Sequence, residues 1–354
     1  MKPEDVRKTT IPLYTPEPVA RPQYPTDAPA LDAYGRRINY LRISLTDRCN
    51  MRCVYCMPAI GMQFLPRPEL LTTDELLLVV RAAARAGFQK IRLTGGEPTL
   101  RPDLVEIVRE IKATPGIEHI AMTTNAVRLQ KLAGPLKEAG LDRVNISIDT
   151  LDAEKFRRMT RGGRLEQVWA GIEEAERVGL HPIKLNAVVV RGMNDDEVPR
   201  LAGLTLDRPW EMRFIEVMPL TGVADVANDG VVKSAELIEQ LQRVYGPLED
   251  LGMAPSESAR RYRLPGAKGK IGFISSVSDP FCATCNRMRL TSDGRLHLCL
   301  LRDDEVDLRA AIRAGASLDE VEQLIRHAVA IKPWGHGLPE GVLPTVRGMS
   351  SLGG

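Results

Sequence analysis

The sequence predicts an α/β fold in which parallel strands and helices alternate into a barrel or partial barrel, followed by a smaller α+β region. Two observations carry that prediction. Strand-like and amphipathic segments alternate six times between Ile38 and about Val217, the pattern of parallel strands linked by crossover helices. The strand segments are also two-faced, apolar on one side and polar on the other. A helix-covered sheet tolerates that pattern when its polar side lines a cavity.

In chain order the strand candidates are NYLRISLT, KIRLTG, EHIAMTT, RVNISID, KLNAVVV and EMRFIEV. The first helical stretch, TTDELLLVVRAAARAG, opens with Thr72 and Glu75 spaced as a capping box and closes at Gly87, where a C-cap favours glycine. RPDLVEIVREIKA, RLQKLAGPLKEAG and RLEQVWAGIEEAERVG repeat the amphipathic pattern. Along the strands, Arg42 and Ser44 alternate with Leu41, Ile43 and Leu45, and Arg92 and Thr94 alternate with Ile91 and Leu93. Asn145, Ser147 and Asp149 oppose Val144, Ile146 and Ile148, and Lys184, Asn186 and Arg213 follow the same rule. A doubly wound sheet would want strands apolar on both faces. An antiparallel sheet with one wet face would fit the alternation but not the intervening helices. Residues 218–250 read as a connection plus the helix SAELIEQLQRVYG. Beyond them come short strands, RYRL, KIGFIS, RMRLT and RLHLCL, and a helical tail opened by the Ser317–Glu320 capping box. The expected division is a leader at 1–30, a barrel domain at 31–250 and a C-terminal domain at 251–354.

A net charge of +2 over 354 residues gives no bulk attraction to nucleic acid or membrane. No apolar run reaches bilayer-spanning length. Residues 1–30 hold seven prolines and no signal-peptide core, and read as a disordered leader. A cytoplasmic, reducing setting is therefore expected, in which cysteines serve as metal ligands or catalysts. The six cysteines sort into two triples, Cys49, Cys53, Cys56 and Cys282, Cys285, Cys299, with none left over.

Zinc would want a fourth ligand beside the first triple, and no other cysteine or histidine lies near it in sequence. A four-iron, four-sulfur cluster held by three thiolates keeps one iron open to a small molecule. The C-x3-C-x2-C spacing, with Tyr55 before the last cysteine and TGGEP (Thr94 to Pro98) directly after the second strand, resembles the signature of the radical S-adenosylmethionine (SAM) enzymes. In that family this loop meets the methionine amino group, its glycines allowing close backbone approach and Glu97 adding a carboxylate near a cation. The resemblance implies an incomplete six-stranded (β/α) barrel of the TIM type. It also implies reductive cleavage of SAM to methionine and a 5′-deoxyadenosyl radical, sheltered by the barrel.

The second triple admits either zinc with His297 as fourth ligand or a second cluster with an open iron. Arg287 and Arg289 share a strand face, with Met288 opposite. With Arg42, Arg92, Lys184 and Arg213 they make six cations directed at one cavity, which repel one another unless an anion enters. Arginine's planar fork suits phosphate, so a polyphosphate substrate is expected. Cations inside the barrel, on a chain of low net charge, argue against nucleic acid.

YLRISLTDRCNMRCVYCMP, IRLTGGEPTLR, MTTN, NISIDTLD, RFIEVMPL, SVSDPFCATCNRMRLTSDGRLHLCL and the terminal Gly-Gly together resemble the GTP 3′,8-cyclase family over roughly residues 31 to 354. The resemblance implies two 4Fe–4S clusters, the second on the C-terminal domain with its free iron toward the guanine edge. The deoxyadenosyl radical would abstract the 3′ hydrogen of GTP, and the C3′ radical would attack C8. Reduction and protonation would then give (8S)-3′,8-cyclo-7,8-dihydroguanosine 5′-triphosphate, an early intermediate of molybdenum cofactor biosynthesis. By position, Tyr55, Gly96, Ser147 and Met218 match SAM contacts. Arg42, Arg92, Thr123, Lys184, Arg213, Arg287, Met288 and Arg289 match GTP contacts, and Gly353 and Gly354 match a tail that reaches the active site. Further implications are an external electron donor, delivery of product to cyclic pyranopterin monophosphate synthase, and a homodimer. Ala126 departs from the family's glycine after TTN, and the long leader has no assigned role. The competing readings are a peptide-modifying radical enzyme and a zinc-stabilised binding module. The first usually carries more C-terminal cysteines and would not call for six interior cations.

Overall fold

The computed structural model describes residues 24–25, 28–60, 63–220, 230–254, 257–338 and 341–353. All six strand candidates are strands: β1 (Tyr40–Ser44), β2 (Lys90–Thr94), β3 (His119–Thr124), β4 (Arg143–Ser147), β5 (Lys184–Val189) and β6 (Glu211–Glu216). Between them run α1 (Thr73–Arg85), α2 (Leu104–Ala113), α3 (Leu129–Glu138), α4 (Ala153–Thr160), α5 (Leu165–Arg177) and α6 (Val198–Asp207). The Thr72–Glu75 capping box forms at the head of α1, with Thr72 N donating to Glu75 Oε2 at 2.8 Å. Neither α4 nor α6 is legible in the sequence pattern. The first is a short polar helix capped by Asp152, and the second carries Pro199 and Gly203.

After β6 come α7 (Ser234–Tyr245), β7 (Glu249–Gly252), β8 (Arg260–Arg263), β9 (Lys270–Ile274), β10 (Arg287–Leu290), β11 (Arg295–His297) and β12 (Glu305–Asp307). Among the described residues three helices follow: α8 (Leu308–Arg313), α9 (Leu318–Ala330) and α10 (Met349–Leu352). The Ser317–Glu320 capping box opens α9. Strands β1 to β6 pair in order, all parallel. The C-terminal strands do not form a sheet of their own. β10 runs parallel beside β1, and β9 parallel beside β6, so the barrel sheet is extended at both edges. The order β12-β11-β10-β1-β2-β3-β4-β5-β6-β9-β8-β7 leaves the sheet open among the described residues. The sheet is nonetheless curled, since Arg289 of β10 and Arg213 of β6 line one cavity.

Outward strand residues such as Leu41, Ile43, Ile91, Leu93, Val144 and Ile146 are at most 1% exposed and share one core with the helices. Burial of this face drives the assembly. The inward residues fall into tiers fixed by register. Arg289, Arg42, Arg92 and Ala121 pair in succession across β10, β1, β2 and β3, and Ala121 pairs with Arg143. The next tier runs Thr123, Asn145, Lys184, Glu211, and the one beyond it Ser147, Asn186, Arg213. Of the expected leader, Tyr24 N donates to Gln323 Oε1 at 2.8 Å and Ala30 is buried. Residues 1–23 and 26–27 lie outside the described residues. No helix among the described residues is long and apolar enough to cross a membrane.

Ala126 sits at φ 63°, in the left-handed region, which accounts for the family's preference for glycine there. Ala126→Gly should leave stability within about 1 kcal/mol of the parent. Relief of roughly 1–2 kcal/mol of backbone strain is set against a buried methyl worth about 0.8 kcal/mol. Ala126→Val should clearly lower the thermal midpoint, because a β-branched residue at positive φ adds strain. A Val variant that melts with the parent would contradict this account.

Candidate active site

The first cysteine triple lies on the loop after β1, and the TGGEP loop after β2 holds it. Gly96 N donates to Thr46 O at 2.6 Å and Glu97 N to Arg48 O at 2.8 Å. A Cβ at Gly96 would collide with the Arg48 carbonyl, so only glycine lets the two loops lie this close. Glu97 is buried, and its carboxylate accepts from Thr99 N (3.1 Å), Thr99 Oγ1 (2.6 Å), Thr124 Oγ1 (2.7 Å) and Asn125 N (2.8 Å). Its role in this arrangement is to tie TGGEP to the TTN turn after β3. Asn125 Nδ2 in turn lies 3.9 Å from Cys49 Sγ.

The three cysteines border a cavity that Tyr55, Gly96, Ser147 and Met218 also line. Burial pushes the Cys49 thiol up to about 11 and the Cys56 thiol up to about 12, and lifts Cys53 as well. Such thiols stay protonated until a cationic centre bonds them, which suits metal ligands and not free nucleophiles. Tyr55 Oη donates to Asp149 Oδ2 at 2.7 Å, and burial holds the Asp149 carboxyl up to about 6. Among the described residues no three His, Cys, Asp or Glu side chains are gathered to hold a single metal ion.

Cys282, Cys285 and Cys299 border a second cavity, with Arg42, Arg92, Arg213, Arg287, Met288 and Arg289 on its walls. Asn186, Ile215, Met218 and Met349 line both cavities, making them two lobes with a common wall. Two sequence-predicted residues stand apart from the second lobe. Thr123 lines the first lobe. Lys184 turns to Glu211, 3.0 Å away, and Glu211 also takes Arg213 Nε at 2.5 Å.

Glu211 thus corrects the picture of six mutually repelling cations, since two of them share a buried counter-ion. Its signal was present in the alternation that found Arg213, two residues on. The coupling holds the Glu211 carboxyl down to about 2, against its burial, while burial and Arg213 push Lys184 down to about 8. Arg42 and Arg92 pair with no acid among the described residues, and the Nε of each is buried without an acceptor. Burial, reinforced by Arg287, brings the Arg289 guanidinium down to about 10. Burial would raise the Tyr40 phenol at the closed end, but Arg92, Arg42, Arg287 and Arg143 outweigh it and hold it below its usual value.

Cations also surround the second triple. Burial acts upward on Cys285, yet Lys332 and Arg287 bring it below its ordinary value. Lys332 Nζ donates to the carbonyl of Leu298, beside Cys299, and Arg36 Nη1 donates to the carbonyls of Cys282 (2.7 Å) and Trp334 (2.5 Å). Lys332 and Arg36 escaped sequence reasoning because no motif or spacing links them to the cysteines. His297 is not on the lobe's walls. Its Nδ1 lies 3.3 Å from Glu305 Oε1 and its buried Nε2 has no partner, so it is the position of His297 off the lobe's walls that counts against the zinc reading.

The C-terminal tail closes over the lobes. Arg289 donates to the carbonyls of Leu352 and Gly353. Gly353 has φ 73° and packs so tightly on Thr94 that a Cβ there would overlap its hydroxyl. Leu352 packs with Leu220 and Leu301. Upstream, Arg347 bridges Glu305 and Asp293, with its Nη1 and Nη2 at 3.1 and 3.0 Å from the Asp293 carboxylate. Gly354 lies outside the described residues. Arg347→Ala should therefore free residues 349–353, raising their amide hydrogen exchange by at least tenfold (about 1.4 kcal/mol of lost anchoring). Unchanged exchange would mean that Leu352 and Arg289 hold the tail without Arg347.

The comparisons with known proteins agree with this architecture. Residues 43–205 match the model of the Radical SAM superfamily, and residues 210–338 match that of Molybdenum Cofactor Synthesis C. A GTP 3′,8-cyclase of Pelotomaculum thermopropionicum is 49% identical over 91% of this chain and 99% of its own length. One of Moorella thermoacetica is 46% identical, again over 91% of this chain and 99% of the relative. Among solved structures, Streptococcus suis SuiB bound to S-adenosylmethionine superposes with a TM-score of 0.58 at 15% identity, covering 82% of this chain and 65% of that one. That likeness speaks to the fold alone. Sequence identity of this extent, over nearly the whole length of its relatives, means that the chain belongs to the GTP 3′,8-cyclase family of radical SAM enzymes.

Proposed function

We propose that the chain converts GTP to (8S)-3′,8-cyclo-7,8-dihydroguanosine 5′-triphosphate in two joined lobes, one for SAM and one for the nucleotide. The observation that carries this reading is the common wall of Asn186, Ile215, Met218 and Met349 between two cavities that each hold a cysteine triple. A radical made in one lobe meets a substrate in the other without crossing solvent. Cys49, Cys53 and Cys56 hold the first 4Fe–4S cluster, and Cys282, Cys285 and Cys299 hold the second. When bound, these clusters supply the electron for SAM cleavage and an open iron for the guanine edge.

The chain's own side chains do the rest. Tyr55, Gly96, Ser147 and Met218 shape the SAM site. Arg42, Arg92, Arg287 and Arg289 receive the triphosphate, their buried charge compensated by its oxygens. Arg213, Lys184 and Glu211 form a fixed charged group beside it, and Met288, buried, lies on the lobe's wall. Thr123 presents a buried hydroxyl without a partner at the edge between the two substrates. Gly353 completes the enclosure. The reading extends to an external electron donor, transfer of product to cyclic pyranopterin monophosphate synthase, a homodimer and residence in the cytoplasm.

Anaerobic incubation with GTP, SAM and a reductant tests the reading, with products analysed for 5′-deoxyadenosine and the cyclised nucleotide. Both should form in equal amounts, and a colourless protein that binds zinc and forms neither would overturn it. Cys53→Ala should abolish 5′-deoxyadenosine formation, whereas Cys285→Ala should retain uncoupled SAM cleavage and lose cyclisation. Normal cyclisation by Cys285→Ala would refute that division of labour. Gly96→Ala should lower the iron bound at the first triple, and full iron occupancy there would contradict the tight loop contact.

A further inference from the structure

The side chain of Asn145 is the most conspicuous unmet polar group in the second lobe. The residue is 0% exposed, lies on the lobe's wall, and neither its Nδ2 nor its Oδ1 has a hydrogen-bond partner. Leaving a buried donor or acceptor unsatisfied costs roughly 1–3 kcal/mol. Such a group in a binding cavity calls for a ligand that satisfies it. The complement it asks for is specific: one group that accepts from an amide NH2 and one that donates to an amide oxygen.

Register says which part of a nucleotide lies at this level. Asn145 pairs with Thr123 on β3 and with Lys184 on β5. One tier toward the closed end are Arg42, Arg92 and Arg289, which call for phosphate. One tier the other way are Ser147 and Asn186, which line the SAM lobe. The second cysteine triple lies on the loops before β10 and after β11, at the sheet edge and toward its closed end. In a nucleotide held by the arginines and those cysteines, the sugar is the part that must face the SAM lobe, and the level between that lobe and the arginines is that of Asn145. Neighbouring sugar hydroxyls are the paired donor and acceptor that the amide lacks.

We propose that the Asn145 amide hydrogen-bonds the vicinal 2′- and 3′-hydroxyls of the substrate ribose. It thereby selects ribonucleotides over 2′-deoxyribonucleotides and holds C3′ toward the SAM lobe. The proposal rests on the reading that the second lobe takes GTP. It assigns Asn145 a substrate contact and not a part in the chemistry of SAM.

The test uses the anaerobically reconstituted holoenzyme with GTP and 2′-deoxyGTP as competing substrates. The parent should favour GTP, and Asn145→Ala should shrink that preference by roughly tenfold or more, the loss falling on GTP. Iron content and GTP-independent SAM cleavage should stay at parental values, which separates lost recognition from lost folding. Should the Ala variant lose iron, Asn145→Ser, smaller and still polar, supplies the same ratio. A variant that keeps the parental ratio, or a parent with no preference, overturns the proposal. An ordered water satisfying the amide would give that first result. Arg42→Ala measured in parallel tells the two readings apart. If it binds GTP as the parent does, the assignment of the lobe fails as well. If it loses GTP while the Asn145 variants keep the parental ratio, only the ribose contact is refuted.

Discussion

Positive charge held inside a curled parallel sheet is the constraint on which the rest of this structure depends. Arg42, Arg92 and Arg289 are paired neighbours on three adjacent strands, and the curl directs them into one enclosed space. Like charges at such separations in a medium of low dielectric constant repel by several kcal/mol. The chain offsets part of this with Glu211, placed between Lys184 and Arg213. It leaves Arg42 and Arg92 with no acid partner among the described residues, and turns Arg289 toward main-chain carbonyls. A protein that only needed to fold would do better with apolar residues at these positions. The arrangement makes sense as a site whose missing anion is the substrate.

The same sheet explains why two cysteine triples more than two hundred residues apart in sequence can serve one reaction. β10 docks in parallel against β1, so the loop preceding it brings Cys282 and Cys285 to the edge of the barrel. The Thr46–Arg48 and Gly96–Glu97 contacts hold the other triple at the strands' C-terminal ends. That is the end at which parallel barrels carry their sites. The tail then covers the junction, with Arg289 as its anchor, so one arginine belongs both to the cation tier and to the closure of the cavity.

Much of this was legible in the sequence because period-two alternation is a local signal. It found six strands, and it found Arg42, Arg92, Asn145, Ser147, Asn186 and Arg213 on the inward face before any tertiary information. Cysteine spacing was equally local. What escaped was either non-local or locally ambiguous. Parallel docking of β9 and β10 on the two edges of the barrel sheet depends on partners far away in sequence. Arg36 and Lys332 reach the second triple through carbonyls that no spacing rule connects to them. Glu97 and Glu211 were visible as residues, but their roles depend on partners that only the folded loops bring near. The last turns of the expected leader are a further case: Tyr24 and Ala30 are secured by α9 and α1, which supply the burial their own composition lacks.

The central claim is that the unneutralised guanidinium groups are satisfied by the substrate's triphosphate. Calorimetric titration of the anaerobic holoenzyme with GTP and with guanosine addresses it most directly. Several charge-assisted hydrogen bonds in a desolvated site predict that GTP binds about a hundredfold or more tightly, with an advantage that narrows as salt is raised. Equal affinity for the two ligands would contradict the account.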